Sequence, residues 1–165
     1  MVDLELVKQH LEYEDDDRDD LIEQYIAAAA EWVEGYTNLL LTRRAVTRRF
    51  SSDVNHFDIF LGPDAVIDSL KYLDGDLVEQ TIDPADYALV DGRIYPASTF
   101  PEAKFGIVAT ITAGYDEGPP ADLVSAQLLY IGHLFANRET VSEKPHSEVP
   151  MAAKLLCQRY FPMMV

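Results

Sequence analysis

The run Glu14-Asp15-Asp16-Asp17-Arg18-Asp19-Asp20 concentrates carboxylates that could hold a hard cation. Asp15, Asp17 and Asp19 match the first three ligand positions of a helix–loop–helix calcium loop. The match stops there. Position six, which needs glycine, is Asp20, and position twelve, which needs glutamate, is Ile26. The run reads instead as a solvated helix start, its carboxylates complementing the positive end of the helix dipole. The histidines, His10, His56, His133 and His146, form no H-E-x-x-H pattern and have no cysteine pair beside them. His133 reads as a hydrogen-bonded core residue. The single cysteine, Cys157, rules out an intramolecular disulfide and reads as a small buried hydrophobe. No phosphate loop, dinucleotide fingerprint or G-x-S-x-G elbow is present. No catalytic, cofactor or metal site is assigned, and the chain is not expected to be an enzyme.

The arginines offer a different chemistry. Arg43, Arg44, Arg48 and Arg49 fall in a segment, 42–52, that contains no acid. In an extended strand Arg44, Val46, Arg48 and Phe50 share one face, and Arg43, Ala45, Thr47 and Arg49 the other. On that pattern neither face is a simple core face. Two uses suit it: an edge strand guarded by charge, or a basic ribbon that meets an acidic face of a neighbouring copy in a salt-sensitive contact. The acidic helix surface from Asp15 to Asp20, with Glu23, Glu31 and Glu34, is the candidate complement. At the other end of the chain, Tyr160 precedes Phe161-Pro162-Met163-Met164-Val165. That tail either folds back on the core or serves as an adaptable apolar plug for a partner.

The elements that must position these groups are bounded by size and charge. The chain has 165 residues, 48% of them hydrophobic, which suits one main domain with its own core. No apolar run approaches the roughly 20 residues that span a bilayer. Residues 1–10 are acidic and amphipathic, so a soluble, intracellular protein without signal peptide is expected. The net charge is −16. Residues 1–41 contribute −10, 42–52 contribute +4, 53–118 contribute −10, and 119–165 balance. Such acidity repels phosphates and argues against ordinary nucleic-acid binding.

Asp3 caps a short helix carrying Leu4, Val7 and Leu11 at helical spacing. A second helix over 17–35 follows from the stripe Leu21, Ile22, Tyr25, Ile26, Ala29, Trp32, Val33 and Tyr36, with Gly35 and Asn38 as stop signals. Strands are predicted at 42–51, 57–61, 66–73, 77–82, 87–91, 93–95 and 105–113, with hairpin signals at Asp74-Gly75 and Asp91-Gly92. In the last strand Phe105, Ile107, Ala109 and Ile111 point one way, and Val108, Thr110 and Thr112 the other. Pro119-Pro120 closes this region. A third helix, with Asp122 in its first turn, runs to about residue 138 and is apolar nearly all round, as befits the centre of a core or an oligomer. Gly132 in its middle suggests a close backbone contact. A fourth, short helix holds Met151, Ala152, Leu155, Leu156 and Tyr160. The class is α+β: a helical core of about four helices (1–40 and 119–161) with an antiparallel β-rich insertion (41–118), all in one domain.

Taken together, "LELVKQHLEYEDDDRDDLIEQYIAAAAEWVEGYTN", "LLLTRR", "IDSLKYLDGD", "IDPADYAL" and "VATITAGYDEGPPADLVSAQLLYIGHLFANRE" give a layout that resembles the head–tail connector (adaptor) family of long-tailed bacteriophages and gene transfer agents. The resemblance spans nearly the whole chain, apart from the 161–165 extension and the unusually basic strand. It implies a structural virion protein at the head–tail junction, assembled in the host cytoplasm without cofactor. It also implies a homo-oligomeric ring, usually twelve-fold, that extends the DNA channel without specific DNA binding and contacts no membrane. Its partners would be the portal protein and tail or stopper proteins. The expected ring contacts are Arg43, Arg44, Arg48 and Arg49 against Glu23, Glu31 and Glu34. Tyr160, Phe161, Met163, Met164 and Val165 are expected to touch the portal. Competing readings are another ring-forming tail protein such as a tail terminator, an acidic DNA mimic, and a metal-dependent nuclease. The DNA mimic would need carboxylates spaced like phosphates on one elongated surface, whereas these are scattered.

Overall fold

The Asp3 carboxylate accepts the Leu6 amide N–H at 2.8 Å and starts α1 (Leu4–Leu11); Glu12, at φ 53°, ends it. The structure, a computed structural model, describes residues 2–137 and 150–160. The chain divides into two compact units, one of residues 1–41 with 117–165 and one of residues 42–116.

In the first unit, α2 (Asp19–Thr37) begins and ends two residues beyond the predicted span. The start is displaced because the preceding carboxylates have other work: Asp16 binds Lys8, and Asp17 accepts the Tyr13 hydroxyl. The end is displaced because Gly35 is absorbed into the helix. Thr37 Oγ1 donates to the Val33 carbonyl at 2.8 Å, and Asn38 takes the left-handed closing position at φ 58°. α3 (Ala121–Ala136) packs against α1, α2 and α4 (Met151–Gln158). Three helical neighbours account for its apolar circumference. It stops before residue 138, because Asn137 donates both its backbone N–H and its side-chain amide to the His133 carbonyl.

The core of this unit gathers Val2, Val7, Ile22, Ala29 and Ile131, with Tyr25, Leu128 and Tyr130 packed around them. Trp32 stacks on Tyr130 at 4.8 Å and on Tyr36 at 5.4 Å between ring centroids. Burial of each large apolar side chain contributes about 1.5–3 kcal/mol. Gly132 is not pressed by backbone: the nearest atom to a hypothetical Cβ is His10 Nε2, at 3.6 Å.

The second unit is all antiparallel. One sheet has the order β1 (Arg44–Phe50), β7 (Ile107–Ala113), β3 (Val66–Leu73), β4 (Glu79–Thr81); the other has β2 (Phe57–Asp58), β6 (Arg93–Pro96), β5 (Tyr87–Val90). The alternation predicted for the last strand holds from Ile107 onward, with Ile107, Ala109, Ile111 and Ala113 buried in turn, but Phe105 precedes the strand and is exposed. Asp91 (φ 49°) and Gly92 (φ 72°) form the two-residue turn joining β5 and β6. The Asp74-Gly75 hairpin is wider than a two-residue turn. Asp74 Oδ1 accepts the amides of Asp76 and Val78, and Leu77 takes the left-handed conformation at φ 64°, so β4 begins only at Glu79. β3 carries a bulge at Asp68, whose carboxylate accepts the Thr112 hydroxyl at 2.7 Å. Phe57 stacks on Phe50 at 4.7 Å and on Phe100 at 4.0 Å, tying the two sheets together.

Candidate assembly surfaces

β1 is an edge strand, as one of the two uses of its arginines requires. Its register alters the reading of its faces. Arg44 lies opposite Ala113, Val46 opposite Ile111, Arg48 opposite Ala109 and Phe50 opposite Ile107. Directly opposed residues share a face, so Arg44 and Arg48 stand on the side that is core one strand further in. Neither is buried, and inward-facing charge on an outer strand is a recognised guard against uncontrolled pairing.

The arginines differ in their commitments. Arg43 lies 3.6 Å from the Asp116 carboxylate and donates to the Asp64 carbonyl at 3.2 Å. Arg44 reaches Thr42 Oγ1 at 3.4 Å, and Arg49 donates to the Phe105 carbonyl at 3.3 Å. Arg48 is exposed.

The proposed acidic complement is uneven. Glu23 and Glu31 are exposed on α2. Glu34 is half-buried, and its Oε1 accepts the Leu41 amide N–H at 2.9 Å, fixing the chain as it leaves the helix. At the start of α2, Asp16 just before the helix and Asp19 in its first turn grip Lys8 Nζ at 2.5 and 2.9 Å. The Lys8 hydrogen bond holds the Asp16 carboxyl below its ordinary range, and the two carboxylates push Lys8 upward. Bonding to Asp17 likewise raises the Tyr13 hydroxyl. The run that suggested calcium is thus a clamp between α1 and α2. Among the described residues no group of three or more His, Cys, Asp or Glu is placed to hold a metal.

Sequence reasoning passed over the opposite edge of the same sheet. Residues 75–81 are exposed, and they sit among Asp74, Asp76, Glu79 and Asp83. The signal was present as acid density around the hairpin, but strand order gives it meaning. Asp74 is held below its ordinary range, chiefly by the Gln80 side-chain amide at 2.9 Å and also by the Val78 and Asp76 amides. Glu79 pairs with Lys71 at 2.8 Å.

At the C-terminal end, α4 buries Ala153 and Cys157 and exposes Met151 and Leu155 on one face. Burial pushes the Cys157 thiol up to about 11, which suits an inert core residue. Arg159 pairs with Asp122 at 2.6 Å, joining the end of α4 to the start of α3. Tyr160 is half-buried, and its amide N–H donates to the Cys157 carbonyl at 3.0 Å. Phe161, Met163, Met164 and Val165 lie outside the described residues. Among the described residues no helix is long and apolar enough to cross a membrane.

Residues 1–72 match the family model described as phage gp6-like head-tail connector protein. No curated protein matches the chain. Among solved structures, a chain from the neck of an empty gene transfer agent particle, computed with C6 symmetry, superposes with a TM-score of 0.77. It is 21% identical, over 99% of this chain and 91% of that one. A chain from the virion of a native gene transfer agent particle gives a TM-score of 0.77 at 20% identity, over 99% and 91%. A chain from the neck of a native particle, computed with C12 symmetry, gives 0.75 at 20% identity, over 98% and 89%. The chain resembles the head–tail connector family in sequence over its first 72 residues, and gene transfer agent neck subunits in fold over nearly its whole length.

Proposed function

We propose that this relative of head–tail connectors is a structural virion subunit that forms a ring between portal and tail, extends the DNA channel and offers the surface on which the tail docks. The observation that carries this reading is the fold shared with neck chains over 99% of the sequence. Six- and twelve-fold symmetry in those necks supports a ring of this chain. A subunit charge of −16, repeated around a ring, favours passage of DNA, because the acidic surface offers phosphates no dense array of cations to release counterions against. Electron microscopy of purified particles tests the reading: the protein should form a closed ring at the head–tail junction, and its absence from mature particles would overturn it.

The portal contact is assigned to Tyr160 with residues 161–165, the stretch that follows α4 in the chain, and α4 itself exposes Met151 and Leu155. Deleting 161–165 should leave the ring intact and abolish head–tail joining, scored as free heads and tails. Normal joining would end the assignment.

A further inference from the structure

The four-stranded sheet ends in two open edges of opposite charge, and we infer that the β4 edge of one copy pairs with the β1 edge of the next, so that the sheet continues from subunit to subunit. This rests on the ring reading and names the joint within it.

Both edges are available. Five of the seven residues of β1 are exposed, and so is every residue of β4. Backbone bonds link Asp74 to Val78 and Ile82 to Leu70. The antiparallel alternation then turns the amide groups of Glu79 and Thr81 away from β3, toward the open side. Strand direction also fits. Each neighbouring pair in the order β1-β7-β3-β4 is antiparallel, so an added β1 laid beside β4 in the same sense is antiparallel again.

Charge selects the partner. The β1 edge carries Arg43, Arg44, Arg48 and Arg49, while the β4 edge is bordered by Asp74, Asp76, Glu79 and Asp83. In a chain of net charge −16, long-range forces push copies apart, so only a local contact between unlike edges favours association. Pairing β1 with β1, or β4 with β4, sets like charge against like. The favoured contact is therefore head-to-tail, the kind that closes into rings. Lys71 lies opposite Val108, Val108 opposite Arg49, and Lys71 opposite Thr81, so Glu79 and Arg49 share one face of the continued sheet. Leu77 and Val78, each 53% exposed at the hairpin tip, add apolar area beside the acids. Glu34 is committed to the Leu41 amide and Glu79 to Lys71, so side-chain commitments do not separate the two acidic surfaces; the outward backbone amides of β4 do, because a helix face has none to offer.

The test uses full-length protein in three forms: Arg48→Glu with Arg49→Glu, Asp76→Lys with Glu79→Lys, and all four together. The substituted side chains are exposed, and an unchanged circular dichroism spectrum checks the fold. Either pair should weaken self-association at least tenfold in sedimentation and remove rings from negative-stain images. The four-fold variant should regain them, and so should an equimolar mixture of the two pair variants, whose edges are again complementary. Wild-type rings accompanied by unaffected pair variants, or by no rescue in both the four-fold variant and the mixture, overturn the edge pairing and leave the ring reading standing. A wild-type protein that never self-associates and never enters particles overturns both.

Discussion

Gly132 shows how a single position is set by its surroundings. A glycine in mid-helix costs about 1 kcal/mol against alanine, and the cost is usually tolerated where something needs the missing methyl's space. Here the nearest atom is His10 Nε2, at ordinary contact distance. Gly132→Ala should therefore raise stability by about 1 kcal/mol in urea unfolding. A loss of stability would show that the His10 ring cannot yield. Gly106 behaves oppositely. At φ 77° a Cβ there would lie 2.2 Å from the Phe50 carbonyl oxygen, so only glycine lets β1 close against β7.

Between elements, the Lys8 clamp decides how α1 is held on the start of α2. Asp16 is depressed on folding, so its contribution is complete above the ordinary aspartate range and is lost as pH falls through its lowered value. Lys8 is raised, so its share is complete below the ordinary lysine value and is lost only as pH rises through the raised one. Amides of Leu4–Leu11 should lose hydrogen-exchange protection, corrected for intrinsic rate, as pH falls below the ordinary aspartate range. Lys8→Met should lower protection at neutral pH and flatten that dependence. An unchanged pH profile in the variant would refute the clamp. Element identity was legible from periodicity, as the strand at 66–73 and the alternation through Ile107, Ala109 and Ile111 show. Termini were less legible because side chains compete for them. Asp17 goes to Tyr13 and leaves the helix start, while Asp74 widens its turn and takes Leu77 and Val78 out of β4.

For the whole molecule, strand order was the missing information. The sequence contains four arginines and a hairpin rich in acids, but nothing local says that they border opposite edges of one sheet. Nor does periodicity disclose that Glu34 is spent on the Leu41 amide. Reversing Arg44 and Arg48 to glutamate should impair ring formation, and higher salt should weaken the wild-type ring, because edge contacts between exposed charges are screened over about 8–10 Å. Assembly indifferent to both, measured by sedimentation across salt, would exclude the arginine edge from the interface.

The stacking of Trp32 between Tyr36 and Tyr130 has a practical consequence. It is the sole indole in the chain, so emission excited at 295 nm reports on the helical unit and is silent about the strands. Melting followed by that fluorescence can be compared with melting followed by far-ultraviolet dichroism. Coincident curves would mean that the two units unfold as one cooperative body, whereas separated curves would give each its own transition.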